Sequence, residues 1–312
     1  MTKNKGDDVK KLLFFILLIS NIFAYTPITP INDVMVNKAK AKLGMKLFFD
    51  FQFSADGKVS CRNCHNPMTG WADSRPVSIG VYGKKGVIQS PTVLNSVYNF
   101  KQFWNGRANN LKEQIDGPIH NPVEMGIDDK KVEQIINKSP YKEIFAKVYF
   151  KDKFTYNDFK DAIATFEYFL TTPNCKFDKY LKHKAKLSKS EMNGYKLFKS
   201  VGCINCHDGV NVGGGKFAKA GVYHKFGNCN DDRYSITHKN KDKCVYKVPT
   251  LRNINLTPPY FHDARTYNLK EAIKIEAWVN CNKKLTKQQI NDIYNFLLTL
   301  QGDFPHLREL MR

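Results

Sequence analysis

CRNCH, residues 61–65, is nearly repeated much later in the chain as CINCH, residues 203–207. Each copy has two cysteines separated by two residues, and a histidine directly follows the second cysteine. The residues concerned are Cys61, Cys64 and His65, then Cys203, Cys206 and His207. Two thiols on one helical turn can add to the two vinyl groups of a haem, and the adjacent imidazole is placed to ligate the iron. The pattern is typical of c-type haem attachment, so the repetition predicts two covalent haems.

A four-cysteine zinc site and a thioredoxin-like redox pair are the competing interpretations. Neither requires histidine directly after the second cysteine, and here it occurs both times in a chain with only eight histidines. Haem is therefore the preferred hypothesis. The other cysteines are Cys175, Cys229, Cys244 and Cys281. Cys229 and Cys244 could close a short loop as a disulfide, but free buried thiols remain an alternative for all four.

The repetition extends beyond the five residues. GMKLFF at 44–49 precedes the first motif and GYKLFK at 194–199 precedes the second, which predicts an entry helix for each. Ser188 with Glu191 offers a capping box for the second entry helix. An amphipathic helix follows far downstream of each motif. The apolar stripes of these two helices are Ile163, Phe166, Phe169 and Leu170, then Ile290, Ile293, Tyr294 and Leu297.

These patterns predict a mostly α fold with two haem domains. A length of 312 residues suits two domains of roughly 100–150 residues, and 42% hydrophobic content is ample for packed cores, so disorder is not the default expectation. Pro173 ends the first long helix and a lysine-rich stretch follows, so we predict domains at 25–180 and 181–312. Two stretches rich in Gly, Pro, Asn and Asp, at 66–76 and 209–221, are predicted to be surface loops.

Residues 1–24 have a lysine-bearing start, an apolar run from Leu12 to Ala24 and a small residue at its end. The run is shorter than the roughly 20 residues that span a bilayer, so it predicts a secretory signal and export to a periplasm. An uncleaved membrane anchor is the alternative. Removing these residues takes away four lysines and two aspartates, which lowers the formal net charge from +20 to +18. The lysines are scattered without an aromatic-basic motif, which disfavours nucleic acid and favours an acidic protein partner.

Five further stretches complete the pattern: SPTVLNSVYN at 90–99, FWNGRANNLKEQ at 103–114, GPIHNPVEM at 117–125, LRNINLTPPYFHDAR at 251–265 and NLKEAIKI at 268–275. With the two CxxCH motifs, they make the chain resemble the bacterial dihaem cytochrome c peroxidases, a group that includes the MauG-like enzymes. The resemblance implies two class I cytochrome c-like domains and reduction of hydrogen peroxide to water. It also implies electrons from a small soluble donor such as a monohaem cytochrome c or a cupredoxin. The C-terminal haem would receive them and pass them to the N-terminal haem, and many relatives form homodimers.

The same resemblance assigns roles to individual residues. Glu124 matches the family's distal acid-base group, Gln114 its hydrogen-bonding partner, and Trp104 the tryptophan between the two haems. Gln89, which stands where asparagine is usual, and the backbone carbonyls of Thr257 and Pro259 match the family's calcium ligands. Amide and carbonyl oxygens suit a hard cation, so calcium is predicted alongside the two haems.

The first departure from the family pattern lies in SIGVYGKKG, residues 78–86. Many members close the first haem at rest with a histidine in this loop, but Val81 occupies its place. Valine has no lone pair to offer iron. We therefore predict an open first haem that needs no reductive activation. Tyr82 is adjacent, but neighbouring side chains in an extended loop usually point to opposite sides.

The second departure lies in KEAIKIEAW, residues 270–278. Glu276 stands where the peroxidases have the methionine that ligates the second haem, and Met311 is the only methionine beyond His207. Methionine ligation is therefore not expected. Three arrangements are open: Glu276 binds the iron, Glu276 holds a water, or Glu276 faces solvent while Tyr267 or His262 approaches. His262 is interpreted mainly as a group near a haem propionate.

The departures keep two further functions open beside peroxidase. MauG-like enzymes also lack the closing histidine and have an oxygen ligand on the second haem, so a dihaem oxidase that modifies a partner protein is the second hypothesis. A dihaem electron carrier without catalysis is the third. Its sequence would not need Glu124 and Gln114 beside an open iron, which argues against it.

Overall fold

The computed structural model describes residues 27–32 and 37–310, so the predicted signal segment lies outside the described residues. These ranges form a mostly helical chain with one small antiparallel sheet. The α-helices, in chain order, are α1 Lys38–Phe49, α2 Leu111–Gln114, α3 Asp116–His120, α4 Asp129–Ile136, α5 Tyr141–Tyr149, α6 Tyr156–Phe169, α7 Lys176–Leu181, α8 Lys189–Val201, α9 Tyr234–Thr237, α10 Leu269–Cys281, α11 Lys287–Leu298 and α12 Pro305–Leu310. The strands are β1 Phe217–Lys219 and β2 Val245–Lys247. Short 3₁₀ turns lie at Phe51–Phe53, Cys61–Asn63, Pro67–Thr69, Val81–Gly83, Ser96–Tyr98, Cys203–Asn205, Asn240–Asp242 and Ile254–Leu256.

The first predicted helix pair is present as α1 and α6, which pack directly against each other. Their crossing has no room for a side chain at Gly44, because a Cβ there would lie 1.9 Å from the carbonyl oxygen of Ala162. The predicted apolar stripe of α6 is buried, and Phe166 packs against Phe48 with 5.3 Å between ring centroids. A capping box between Thr155 and the first turn of α6 fixes where the helix begins.

The second pair, α8 and α11, repeats this crossing. A Cβ at Gly194 would lie 1.9 Å from the carbonyl oxygen of Asp292. The predicted capping box between Ser188 and Glu191 is confirmed at the start of α8. Phe296 of α11 is fully buried among the rings of Phe177, Tyr195 and Phe198. The two helix pairs therefore pack in the same way where they cross.

Each helix pair belongs to its own hydrophobic cluster, and both ends of the described chain cross to the other cluster. Ile28 is buried in the second cluster, where its backbone pairs with Gly209. Leu310 of α12 is buried in the first. The predicted domain division after residue 180 falls within α7 and stays a prediction. Within the described ranges, no helix has the length and apolar character needed to cross a bilayer.

The prediction of surface loops at 66–76 and 209–221 is wrong in part. Trp71 and Asp73 are buried, and so is Val212. The second stretch contains β1, which pairs antiparallel with β2 so that Phe217 lies opposite Lys247. Composition could not show this, because the pairing partner lies about thirty residues away. Both stretches contribute residues to the lining of one cavity, so neither is wholly a surface loop.

The cysteines outside the two motifs divide into one bridge and two thiols. Cys229 and Cys244 form a disulfide, which resolves the alternative left open by the sequence. Cys175 and Cys281 are free. Cys175 is buried beside the fully buried ion pair of Arg252 and Asp178, whose Nη2 and Oδ1 atoms are 2.9 Å apart.

Candidate functional site

One cavity of about 830 Å³ lies between the two helix pairs and reaches both CxxCH motifs. The residues that the sequence singled out for haem attachment, catalysis and calcium all line it. They are Cys61, Cys64, His65, Gln89, Trp104, Gln114, Glu124, Cys203, Cys206, His207, Thr257, Pro259 and Glu276. This volume is near the upper end of the usual range for ligand and cofactor pockets. Residues far apart in sequence are therefore brought to one site.

The two motifs have the same local geometry. In each, a 3₁₀ turn begins at the first cysteine and the second cysteine caps it, and the N–H of the following histidine donates to the carbonyl of the first cysteine. That distance is 2.9 Å from His65 to Cys61 and 3.0 Å from His207 to Cys203. All four cysteines of the motifs are free thiols. Each turn therefore presents two thiols and one imidazole to the same cavity.

Both histidines are in the form that a metal requires. Burial lowers the pKa of His207 to about 4 and also lowers the pKa of His65, so both rings are neutral near pH 7. Their second nitrogens differ. His207 Nδ1 lies 3.4 Å from the carbonyl of Val212, whereas His65 Nδ1 is buried without a hydrogen-bond partner among the described residues. Two free thiols, an adjacent neutral imidazole and a largely apolar cavity fit a covalent haem at each motif.

Glu124 and Gln114 line the part of the cavity near the first motif. Gln114 is the last residue of α2. Glu124 lies on a turn after α3, and its backbone N–H donates to the carbonyl of Asn121 at 2.9 Å. The Asn121 amide also donates to Glu124 Oε1 at 2.8 Å. Burial raises the pKa of Glu124, opposed by this hydrogen bond and by the charge of Arg107. A held carboxyl with a raised pKa suits a group that both gives and takes a proton.

Val81 is packed beneath this acid rather than facing the cavity. It is 1% exposed within the first hydrophobic cluster, and its N–H donates to the carbonyl of Glu124 at 2.8 Å. The preceding Gly80 allows this close approach, because a Cβ there would lie 1.9 Å from the carbonyl oxygen of Val123. Tyr82 has a φ of 57° and a side chain that is 67% exposed, away from the cavity lining. The open first haem stays a prediction, and neither side chain is placed to close the site.

Trp104 is held from both halves of the chain. Its indole Nε1 donates to the carbonyl of Gln89 at 2.8 Å, and its own carbonyl accepts from the N–H of Lys247 at 2.7 Å. The ring lies 6.2 Å from both Tyr246 and His262, measured between centroids. A buried indole fixed in this way bridges the first half of the chain to β2. Its role between the haems stays a prediction.

The predicted calcium ligands also meet at the cavity. The Gln89 side chain donates from Nε2 to the carbonyl of Asp73 at 3.1 Å, which fixes the orientation of its amide group. Thr257 directly precedes the two residues joined by a cis bond, Pro258 and Pro259. In the described part of the chain, no group of three or more His, Cys, Asp or Glu side chains could hold a metal ion. A cation here would therefore depend on amide and carbonyl oxygens, as predicted, and calcium stays a prediction.

Glu276 lies in α10 and faces the cavity near the second motif. Asn280, one turn later, donates to Glu276 Oε1 at 2.8 Å, and burial raises the pKa of the carboxyl. Tyr267 is exposed and its hydroxyl donates to the carbonyl of Ser74 at 3.3 Å, outside the cavity lining. His262 lines the cavity, stacked on Tyr246 at 4.2 Å with its Nε2 at 2.9 Å from the carbonyl of Asn228. Of the open arrangements, those with Glu276 toward the cavity agree with this geometry.

Two buried charged residues that line the cavity, Glu167 and Lys247, were not found from the sequence. Glu167 of α6 is 3% exposed, lines the cavity, and has a carboxylate oxygen, Oε2, without a hydrogen-bond partner among the described residues. Burial raises its pKa to about 8. Its place four residues after Ile163, on the apolar stripe, was the available signal. Lys247 of β2 is 5% exposed and also lines the cavity.

A mostly helical chain with two similar helix crossings, each holding a CxxCH turn against a shared cavity, is a two-domain c-type cytochrome. The sequence matches the family described as di-haem cytochrome c peroxidase over residues 38–186 and the cytochrome c family over residues 191–301. The chain belongs to the di-haem cytochrome c peroxidase family. The predicted family, the mostly α fold of two cytochrome c-type domains and the content of two c-type haems are thereby confirmed.

Individual relatives cover most of the chain. It is 43% identical to the cytochrome c551 peroxidase of Nitrosomonas europaea over 91% of this chain and 87% of that protein. Its identity to the cytochrome c551 peroxidase of Pseudomonas aeruginosa is 36%, over 90% of this chain and 84% of that one. Among solved structures, a MauG-like protein associated with microbial copper homeostasis is similar with a TM-score of 0.77 and 25% identity, covering 91% of this chain and 95% of its own.

Proposed function

We propose that this protein is a periplasmic dihaem peroxidase that reduces hydrogen peroxide to water. The balanced reaction takes one peroxide, two electrons and two protons to two waters. The observation that carries the proposal is that Glu124 and Gln114, both half-buried, line the same cavity as the first CxxCH turn. A carrier of electrons has no need of an acid and an amide there.

When bound, the haems supply one-electron redox chemistry and a coordination site for peroxide. The chain supplies proton transfer and orientation. Glu124, with its raised pKa, takes the proton from one peroxide oxygen and returns it to the departing oxygen. Asn121 fixes the carboxyl for this transfer, and the amide of Gln114 donates a hydrogen bond that orients the substrate. Buried apolar residues of the first hydrophobic cluster, among them Leu111, Ile115 and Met125, line the same cavity.

The second CxxCH motif would hold the haem that receives electrons, the first would hold the haem that meets peroxide, and Trp104 would lie on the electron route between them. The fixed position of the indole, hydrogen-bonded to one half of the chain and packed against the other, supports this route. A formal net charge of +20 favours an acidic donor, and we propose a monohaem cytochrome c or a cupredoxin. We also propose that calcium binds at Gln89, Thr257 and Pro259. The protein is further proposed to form a homodimer.

Location in the periplasm is proposed from two features. Residues 1–24 have the pattern of a secretory signal. The disulfide between Cys229 and Cys244 is of a kind that persists in oxidising compartments. Fractionation of cells carrying the full chain tests the location, and retention in the cytoplasm would contradict it.

The function is tested by peroxide consumption with reduced cytochrome c as donor. Glu124→Gln keeps the shape and hydrogen bonding of the side chain but removes its proton transfer, so we expect turnover to fall by about 10²–10⁴. Glu143→Gln, at an exposed position of α5, is the matched control and keeps wild-type turnover. A wild type no faster than Glu124→Gln would remove the peroxidase proposal.

A dihaem oxidase that modifies a partner protein is the second candidate. Val81, which cannot ligate iron, and the oxygen side chain of Glu276 at the second site favour it, as does the similarity to a MauG-like structure. Its test is the fate of the two oxidising equivalents after peroxide is added without donor. Persistent storage over minutes, with slow turnover once reduced cytochrome c is added, would favour the oxidase over the peroxidase.

A further inference from the structure

Lys247 is a buried cation for which the described chain provides no anion. Its side chain is 5% exposed and lines the cavity, and it forms no hydrogen bond or ion pair from its ammonium group within residues 27–32 and 37–310. Burial lowers the pKa of Lys247 to about 8, and no neighbouring carboxylate opposes that change. An isolated buried ammonium costs several kcal/mol, so such a group is usually neutralised or paired.

The other cations on the cavity are already accommodated. Arg107 Nη1 lies 3.4 Å from Asp231 Oδ2, and Lys85 and Lys219 are exposed to solvent. Lys247 has no partner among the described residues, and its small exposed fraction faces the cavity. An anion that pairs with Lys247 would therefore lie in the cavity.

The position of Lys247 is fixed by its backbone. It ends β2, in register with Phe217 of β1, and its N–H donates to the carbonyl of Trp104 at 2.7 Å. The following residues lead to Pro249, whose carbonyl approaches the Gly213 backbone next to the His207 ring. Lys247 thus stands where the segment that holds Trp104 meets the segment that packs against the second CxxCH turn.

We propose that Lys247 is the charge partner of a haem carboxylate in the cavity beside Trp104, and that this ion pair raises the reduction potential of that haem. A positive charge held next to the haem offsets its carboxylate and favours the iron state with the lower positive charge, which is the reduced one. The residue is a positioning and electrostatic group and is not itself a reacting one. The inference rests on the presence of two haems and not on peroxide turnover.

The test is a spectroelectrochemical titration of the haem-loaded full chain. Lys247→Met and Lys247→Gln remove the charge, Lys247→Arg keeps it, and Lys241→Met removes a charge from an exposed 3₁₀ turn as the matched control. We expect Met and Gln to lower the reduced-to-oxidised ratio of one haem at least tenfold at fixed potential, which is about 59 mV for one electron. Arg and the Lys241 control should stay well within that shift.

A second readout is the resonance Raman propionate-bending mode, which reports hydrogen bonding of the haem carboxylates. We expect it to change in the Met and Gln variants and to be retained with Arg. Unchanged potentials and an unchanged mode in Lys247→Met would overturn the proposal, even if the enzyme is an active peroxidase.

If the uncharged variants do not assemble with haem, the haem content of each variant is the measurement that tests the proposal. Loss of haem from the Met and Gln variants, with full loading of the Arg variant, supports the ion pair. Equal loss from the Arg variant would show that the site requires the shape of lysine and not its charge, and would also overturn the proposal.

Discussion

The two halves of the molecule share one scaffold and differ on the cavity side. Gly44 and Gly194 occupy equivalent helix crossings. At each, a Cβ atom would lie 1.9 Å from a carbonyl oxygen of the facing helix. Each half then presents a glutamate held by an asparagine amide at 2.8 Å, Glu124 by Asn121 and Glu276 by Asn280. The first glutamate lies on a turn after a short helix, and the second lies within the long helix α10.

This difference decides what each acid can do. Glu124 lines the same cavity as Gln114, and the charge of Arg107 is near enough to oppose the effect of burial on the pKa of Glu124. Glu276 has only the Asn280 hydrogen bond against its burial. Glu124 thus has a hydrogen bond and a positive charge that favour its ionised form, whereas Glu276 has a hydrogen bond alone. We therefore expect proton transfer at Glu124 and not at Glu276, although the two attachment motifs are alike.

The largest expected effect separates the two glutamates directly. Glu124→Gln should lower peroxide turnover by about 10²–10⁴, because it removes a proton-transfer group. Glu276→Gln should lower it by less than about tenfold, because proton transfer at the first site is intact. Steady-state assays of both variants at equal haem content measure the ratio. Equal losses would mean that both glutamates serve one proton path and that the sites are not functionally distinct.

The second effect concerns Glu167, which follows Phe166 at the first helix crossing, whereas the apolar Leu297 follows Phe296 at the second. The pKa of Glu167 is about 8 in the folded chain, against about 4.3 for an ordinary glutamate. Between those values the folded state keeps a proton that the unfolded state has lost, so stability falls as pH rises. The slope from this group is about 1.4 kcal/mol per pH unit.

Glu167→Gln should remove that slope. Between pH 5 and pH 7 the wild type should lose about 3 kcal/mol of unfolding free energy relative to the variant. Denaturant unfolding of the haem-loaded protein at both pH values measures this, and the exposed Glu143→Gln variant should retain the wild-type slope. Parallel curves for wild type and Glu167→Gln would show that Glu167 is ionised in the folded state.

Features that depend on residues close together in sequence could be predicted, and features that depend on contacts between distant residues could not. The CxxCH turns, the capping box at Ser188 and the stripes of α6 and α11 are local patterns, and each is present in the structure. The pairing of β1 with β2, the crossing of Ile28 to the second cluster and the burial of Lys247 depend on residues far away in sequence. Their own stretches carry ordinary polar composition, so no local pattern could predict them.

The third effect tests the shared scaffold. Gly44→Ala and Gly194→Ala each place a methyl group against a helix carbonyl, and overpacking of this kind costs roughly 1–3 kcal/mol. We expect similar losses from both, measured as unfolding free energy of the haem-loaded chain. Gly215→Ala is the control, because a Cβ there has nothing within 4 Å. A loss at only one crossing would mean that the two halves are not packed equivalently.

The smallest expected effect is the most informative about the first site. Val81 is buried under Glu124 and Tyr82 is exposed, and neither side chain lines the cavity that His65 faces. Fully oxidised protein should therefore consume peroxide at once, and one-electron pre-reduction should change the initial rate by less than about twofold. Stopped-flow mixing of oxidised and pre-reduced samples with peroxide measures the two rates. A strict need for pre-reduction would show that another residue closes the first haem at rest, and the contrast with the second site would then lie in the identity of the closing ligand.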